Sequence, residues 1–164
     1  MNIISDVLIA LRQIIRATDL HSRYLMKTTG LSAPQLAVLR ALDAASGLSV
    51  SELARRISLS QGTVTSILDR LQARGLVVRE RSRTDRRRVM LQLTPTAAAS
   101  LAQAPPPLQE NFVVRFEALQ PWEQHLILAA LQRVTQLMDA DRIDAAPMLA
   151  IGALDQSETA GTSE

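Results

Sequence analysis

The sequence predicts a mainly helical fold that carries one small β-hairpin. Three observations predict it. Apolar residues recur at helical spacing, switch to alternation in two short runs after Gly75, and return to helical spacing after Thr94. Residues that cap helices (Ser32, Ser49, Ser60 and Thr94) stand at the starts of the internal helical runs. Finally, 47% of the residues are hydrophobic but only 2% are aromatic, so Leu, Ile, Val and Ala must fill the core, which suits helices.

Each element has a local cause. From Asn2 to about Lys27, Ile4, Val7, Leu8, Leu11, Ile14, Ile15, Tyr24 and Leu25 follow amphipathic spacing, and Gly30 stops the helix. Ser32 caps a second helix with Pro34 in its first turn and Leu36, Leu39 and Leu42 on one face. Ser49 and Glu52 form a capping box ahead of a short helix holding Leu53, Ala54 and Ile57. Leu59-Ser60 is a turn, and Ser60 caps a helix from Gln61 to about Ala73 that Gly75 closes. Leu76–Arg81 and Val89–Leu93 read as strands, joined by the polar segment Ser82–Arg88. Thr94-Pro95 starts another helix, which Pro105-Pro106-Pro107 must break or kink. Leu108–Leu119 is helical again. Pro121 opens the last strong helix, with Ile127, Leu131, Val134 and Met138 in one stripe. Two short helices, a turn and a hairpin in this order make a winged helix-turn-helix, flanked by N- and C-terminal helices.

Charge is segregated along the chain. Residues 49–94 hold ten arginines against four acids, an excess of six, while the whole chain is only +2. The remainder is therefore acidic, and the basic module points to one local polyanion contact, most simply duplex DNA. Lys27 is the only lysine. Arginine forks match phosphates and guanine edges better than a point charge does.

In the helix Gln61–Ala73, Val64, Ile67, Leu68 and Leu71 share one face and must be core. The opposite face carries Gly62, Ser66 and Arg70, flanked by Thr63 and Thr65. Small polar groups let a helix sit deep in the major groove, and the N-terminal end, with Ser60 and Gln61, approaches bases or phosphate first. The segment after the first strand adds Arg83, Arg86, Arg87 and Arg88 around Asp85. It falls where a wing straddles the DNA backbone, and a tip arginine there suits a narrow minor groove. Asp85 reads as an internal ligand that orients an arginine, because a free acid facing phosphate would be repelled.

These residues resemble a known family. Leu53-Ala54-Arg55-Arg56, the run Ser60–Leu71, Gly75-Leu76-Val77, Asp85-Arg86-Arg87-Arg88-Val89 and Leu93-Thr94 together are similar to the MarR (multiple antibiotic resistance regulator) family. The resemblance is strong over about residues 30–100. It implies a homodimer with interlocked N- and C-terminal helices, and one winged domain per half of a near-palindromic operator. It implies that Arg87 is the wing-tip arginine, held by Asp85. It also implies a small anionic or phenolic effector between the dimer arm and the DNA-binding lobe, where Arg16, His21, Arg23 and Tyr24 are candidates. At the end of a helix such side chains are more commonly surface or packing groups. Ala97 stands where many members have glycine, and the triple proline departs from an uninterrupted long helix.

The expected division is an N-terminal dimerisation helix (1–30), a winged domain (31–100), C-terminal dimerisation helices (101–140) and an acidic, flexible tail (141–164). The expected role is a transcriptional regulator, a repressor modulated by an effector. The other reading is a winged-helix module whose basic face binds acidic protein partners. No phosphate loop, nucleophile–base pair or cofactor fingerprint is present, so neither an enzyme nor a cofactor is expected. There is no cysteine, which removes thiolate metal sites and disulfides. No long apolar run suggests a membrane span, and the N-terminus lacks the pattern of a signal peptide, so a cytoplasmic protein is expected. Trp122 is expected to be a packing anchor, and the acids near Asp139 and Asp141 a solvated tail.

Overall fold

The computed structural model describes residues 2–45, 47–81 and 89–143. Its elements are α1 (Ile3–Thr29), α2 (Ala33–Ala44), α3 (Val50–Ile57), α4 (Gln61–Ala73), β1 (Val77–Arg81), β2 (Val89–Leu93), α5 (Pro95–Ala102), α6 (Leu108–Glu117) and α7 (Pro121–Leu137). The chain divides into two compact units, with the boundary between Ala104 and Pro105.

In the first unit the Gly30 stop and the Ser49–Glu52 capping box act as the sequence suggests, and Asn2 adds a cap that the sequence analysis did not name. Asn2 Oδ1 accepts from the Ile4 N–H at 3.1 Å and opens α1, and Gly30, left-handed at φ 66°, closes it. Ser49 and Glu52 cap α3 reciprocally: the Glu52 N–H donates to Ser49 Oγ at 3.3 Å and the Ser49 N–H to Glu52 Oε2 at 2.8 Å. β1 and β2 pair antiparallel, from Val77 opposite Leu93 to Arg81 opposite Val89. The first strand begins one residue later than expected. Gly75 takes φ 67° and the Leu76 N–H turns back to the Leu71 carbonyl at 2.9 Å, while the Leu76 carbonyl accepts the Thr94 N–H at 3.1 Å, so Leu76 joins the helix cap to the ladder that starts at Val77.

The core of this unit is aliphatic. Leu36, Val38 and Leu39 of α2, Leu53 of α3, Val64, Leu68 and Leu71 of α4, and Val77 and Leu91 of the hairpin are buried together with Leu25 and Leu31. This cluster fixes α4 from beneath and leaves its other face to solvent. Ala97 is fully buried, so its methyl group contributes to the packing where glycine would leave a gap. α1 differs from the other elements: of its 27 residues only Thr18 and Leu25 are buried.

The second unit holds α6 and α7. α5 ends at Ala102 and α6 starts only at Leu108, so the prolines separate two helices. α6 stops at Glu117, short of the expected Leu119, where the Leu119 N–H bonds the Phe116 carbonyl at 3.1 Å. Neither α6 nor α7 has a buried residue. Phe112 and Phe116 stack with centroids 5.3 Å apart. Trp122 is 66% exposed, so within the chain it is not the packing anchor its size suggested. The stripe on α7 is only partly covered: Ile127 and Val134 are half-buried, whereas Leu131 and Met138 are exposed.

Candidate nucleic-acid interface

α3 and α4 are joined by a turn in which Ser58 takes the left-handed conformation at φ 56° and the Leu59 N–H closes on the Ala54 carbonyl at 3.0 Å. α4 then starts on Ser60. Ser60 Oγ accepts from the Thr63 N–H at 3.1 Å and shares a 2.8 Å bond with the Thr63 hydroxyl. These two predicted contact residues are therefore paired with each other at the helix start. Thr65 Oγ1 donates to the Gln61 carbonyl at 2.8 Å. With its proton committed, Thr65 offers a partner only lone pairs and a methyl group, which suits a base amino group or a thymine methyl.

Burial sorts the rest of α4. Gln61, Gly62, Thr65 and Arg70 are exposed, Thr63 and Ser66 are half-buried, and Val64, Ile67, Leu68 and Leu71 are buried. Ser66 is thus less available than its place on the helix wheel suggested, and it already takes part in a contact within the protein, as does Arg70. Arg83, Asp85, Arg86, Arg87 and Arg88 lie outside the described residues, between the paired ends Arg81 and Val89.

Three features of this surface escaped the sequence reading. Arg79 of β1 reaches Asp69 of α4, with Nη2 at 2.6 Å from Oδ1. The pair ties the hairpin to the helix and neutralises an acid on a face otherwise suited to phosphate. It is partly solvated, so Asp69→Ala is expected to cost less than about 1 kcal/mol of stability in urea unfolding; a larger loss would make the pair structural. Arg55 and Arg56 are exposed in the last turn of α3, just before α4. Their signal was two consecutive arginines at the end of a short helix, where they also complement the helix dipole. Arg74 donates to the Gly30 carbonyl at 2.8 Å across 44 positions of sequence, and no local pattern announces such a contact.

The effector candidates lie on α1. Arg16 and Arg23 both reach Asp19, at 3.3 and 2.9 Å. Asp19 thus offsets part of the positive charge that Arg16 and Arg23 bring to this face. Burial lowers the His21 pKa below its ordinary value. Tyr24 is 55% exposed. An open concavity of about 430 Å³ runs along Ile9, Arg12, Gln13, Arg16, Ala17 and Leu20. It takes in Arg16, whereas His21, Arg23 and Tyr24 lie beyond it. Among the described residues no group of three or more His, Cys, Asp or Glu is placed to hold a metal ion, and no helix is long and apolar enough to cross a membrane.

Comparison with known proteins agrees with this geometry. The family model described as "MarR family" matches residues 29–88, which run from the end of α1 to the end of the arginine-rich segment. The chain is 44% identical over 72 residues to the HTH-type transcriptional regulator TtmR of Methylorubrum extorquens, covering 44% of this chain and 37% of that one. It is 32% identical over 92 residues to the HTH-type transcriptional repressor MdtR of Bacillus subtilis, covering 56% and 59%. The matched region thus spans less than two thirds of these curated relatives. Among solved structures, the PcaV transcriptional regulator of Streptomyces coelicolor, in complex with its natural ligand, superposes with a TM-score of 0.54 at 26% identity, covering 79% of this chain and 91% of that one. The capped α3–turn–α4 unit, the hairpin behind it and the family match over residues 29–88 make this part of the chain similar to the winged helix-turn-helix proteins of the MarR family.

Proposed function

We propose that the chain is a sequence-specific regulator of transcription that binds duplex DNA as a homodimer. The observation that carries this reading is α4: a helix fixed from below by a leucine core, with an exposed polar face and a capped N-terminal end. The arginine-rich segment 82–88 follows it after one short strand and supplies the phosphate attraction. Gln61, Thr65 and Arg70 read bases in this account, with Ser60, Thr63 and Ser66 beside them. Arg83, Arg86 and Arg88 hold the backbone and Arg87 enters the minor groove, oriented by Asp85. Residues 1–30 and 101–140 form the dimer arms around a winged domain at 31–100, and the operator is a near-palindrome with half-sites about one helical turn, roughly 10 bp, apart.

The regulator acts as a repressor in the cytoplasm and responds to a small-molecule effector. The similarity to MdtR supports the first part, and the bound ligand of PcaV supports the last. The effector acts only if it binds two arrangements of the winged domains unequally. Selection of bound fragments from the source genome, followed by footprinting across a salt series, tests the reading. One protected sequence, with affinity that falls steeply with salt, is the expected result. Affinity without sequence preference would favour a basic surface for acidic protein partners.

Two substitutions separate the roles of helix and wing. Removing Arg70 is expected to cost about 1–3 kcal/mol of operator binding and to relax preference at one position. Asp85→Ala is expected to weaken binding although it removes a negative charge, because it releases Arg87. Tighter binding at two salt concentrations would refute the orienting role.

A further inference from the structure

A side chain at the C-terminal end of α4 reaches the C-terminal end of α1 in the first unit. Each helix ends in carbonyl oxygens that carry partial negative charge, so two such ends brought together repel. Arg74 stands between them. Its own N–H closes α4 on the Arg70 carbonyl at 3.2 Å, and its Nη1 donates to the carbonyl of Gly30, the cap of α1, at 2.8 Å. The fit is close: a Cβ at Gly30 would lie 3.3 Å from Arg74 Nη2, and the glycine already holds φ 66°. One residue further on, the Gly75 carbonyl accepts the Thr94 hydroxyl at 2.8 Å. The same Thr94 oxygen accepts from the Ala97 N–H at 3.3 Å, which caps α5. Within two residues the end of α4 is thus tied to α1 on one side and to α5 on the other.

The geometry points to the Arg74–Gly75 turn as a positioning joint that sets the angle of α4 against α1 and α5. Arg79 also serves a contact inside the protein, but it ties α4 to the hairpin. The Arg74 guanidinium instead reaches the helix with the exposed apolar length, from the end of the helix that carries the base-facing side chains. The effect on DNA rests on the proposed function; the joint itself does not. A shift of α1 relative to the core reaches α4 through one charge-assisted hydrogen bond, which holds its carbonyl more firmly than a neutral donor would.

The test uses the full chain with Arg74→Met, Arg74→Lys and Gly30→Ala. Affinity is measured for a selected operator and for random duplex over a salt series, well below the unfolding temperature. Arg74→Met is expected to weaken the operator complex about fivefold while random duplex and the salt slope stay as in the parent. Arg74→Lys restores most of the loss. Gly30→Ala, which presses the guanidinium at 3.3 Å and strains the cap at φ 66°, is expected to lower operator affinity more in the parent than in the Arg74→Met background, where only the strain remains. Equal losses on operator and random duplex with a salt slope smaller by about 0.9 would make Arg74 a phosphate contact and overturn the proposal. An unchanged operator affinity would overturn it too. Amide exchange of the free protein supplies an arm that needs no DNA: the Gly30 amide and the first turn of α5 exchange faster in Arg74→Met than in the parent, and equal exchange refutes the joint. A parent protein that binds no duplex would defeat the DNA reading and leave the exchange arm to decide the joint.

Discussion

Replacing Leu68 by alanine is expected to lower the unfolding free energy by about 3 kcal/mol, the largest single effect on stability foreseen here. Leu68 is fully buried, and it packs in the cluster that joins α2, α3, α4 and the hairpin. Truncation removes three carbons from a close-packed site and leaves a cavity that the surrounding helices fill only in part. Urea unfolding at a fixed protein concentration measures the loss, since a dimer's stability depends on concentration. A loss below about 1 kcal/mol would mean that the core under α4 can collapse, against the burial observed. Thr65→Ala provides the contrast. It lies exposed on the same helix, so its stability should stay within about 0.5 kcal/mol of the parent while operator affinity falls.

Glutamates at Leu8 and Ile15 together are expected to convert the dimer to a monomer and weaken operator binding about 100-fold or more. The two positions are seven apart, so they lie on one side of α1, and they are 59% and 61% exposed. Ile3, Ile4, Ile9 and Ile14 are also more than half exposed. So much unshared apolar surface on one helix is a liability unless another surface covers it. The proposed dimer covers it and gives both winged domains one operator to hold, so separating them loses the second half-site. Sedimentation at micromolar concentration reads the first effect and gel shift the second. A parent protein that sediments as a monomer, or a double variant that remains dimeric, would sink the assignment of α1 to the dimer arm.

Helix starts and stops were legible in the sequence because they depend on neighbours within a few positions. Ser49 caps Glu52, Ser60 caps Thr63 and Thr94 caps Ala97, each across three residues. Gly30 and Gly75 end helices because a positive φ costs glycine little. The switch from helix to hairpin and the face of α4 that would be buried followed from periodicity alone. The concentration of arginine in residues 49–94 is a property of composition, so it too required no coordinates.

The tertiary structure decided which polar groups are available and what they hold. Asp69 was one of four acids in the basic module, and only the fold brought Arg79 of β1 to it. Ser66 belonged to the open face by helical position and is half-buried in the fold. Arg74 was one arginine among ten, and only the approach of α1, 44 positions earlier, gave it a partner. For Asp69 and Arg74 the physical reason is the same. A cap or a periodic stripe is written by local geometry, whereas a charge is satisfied by whatever the packing of distant segments brings within about 3 Å.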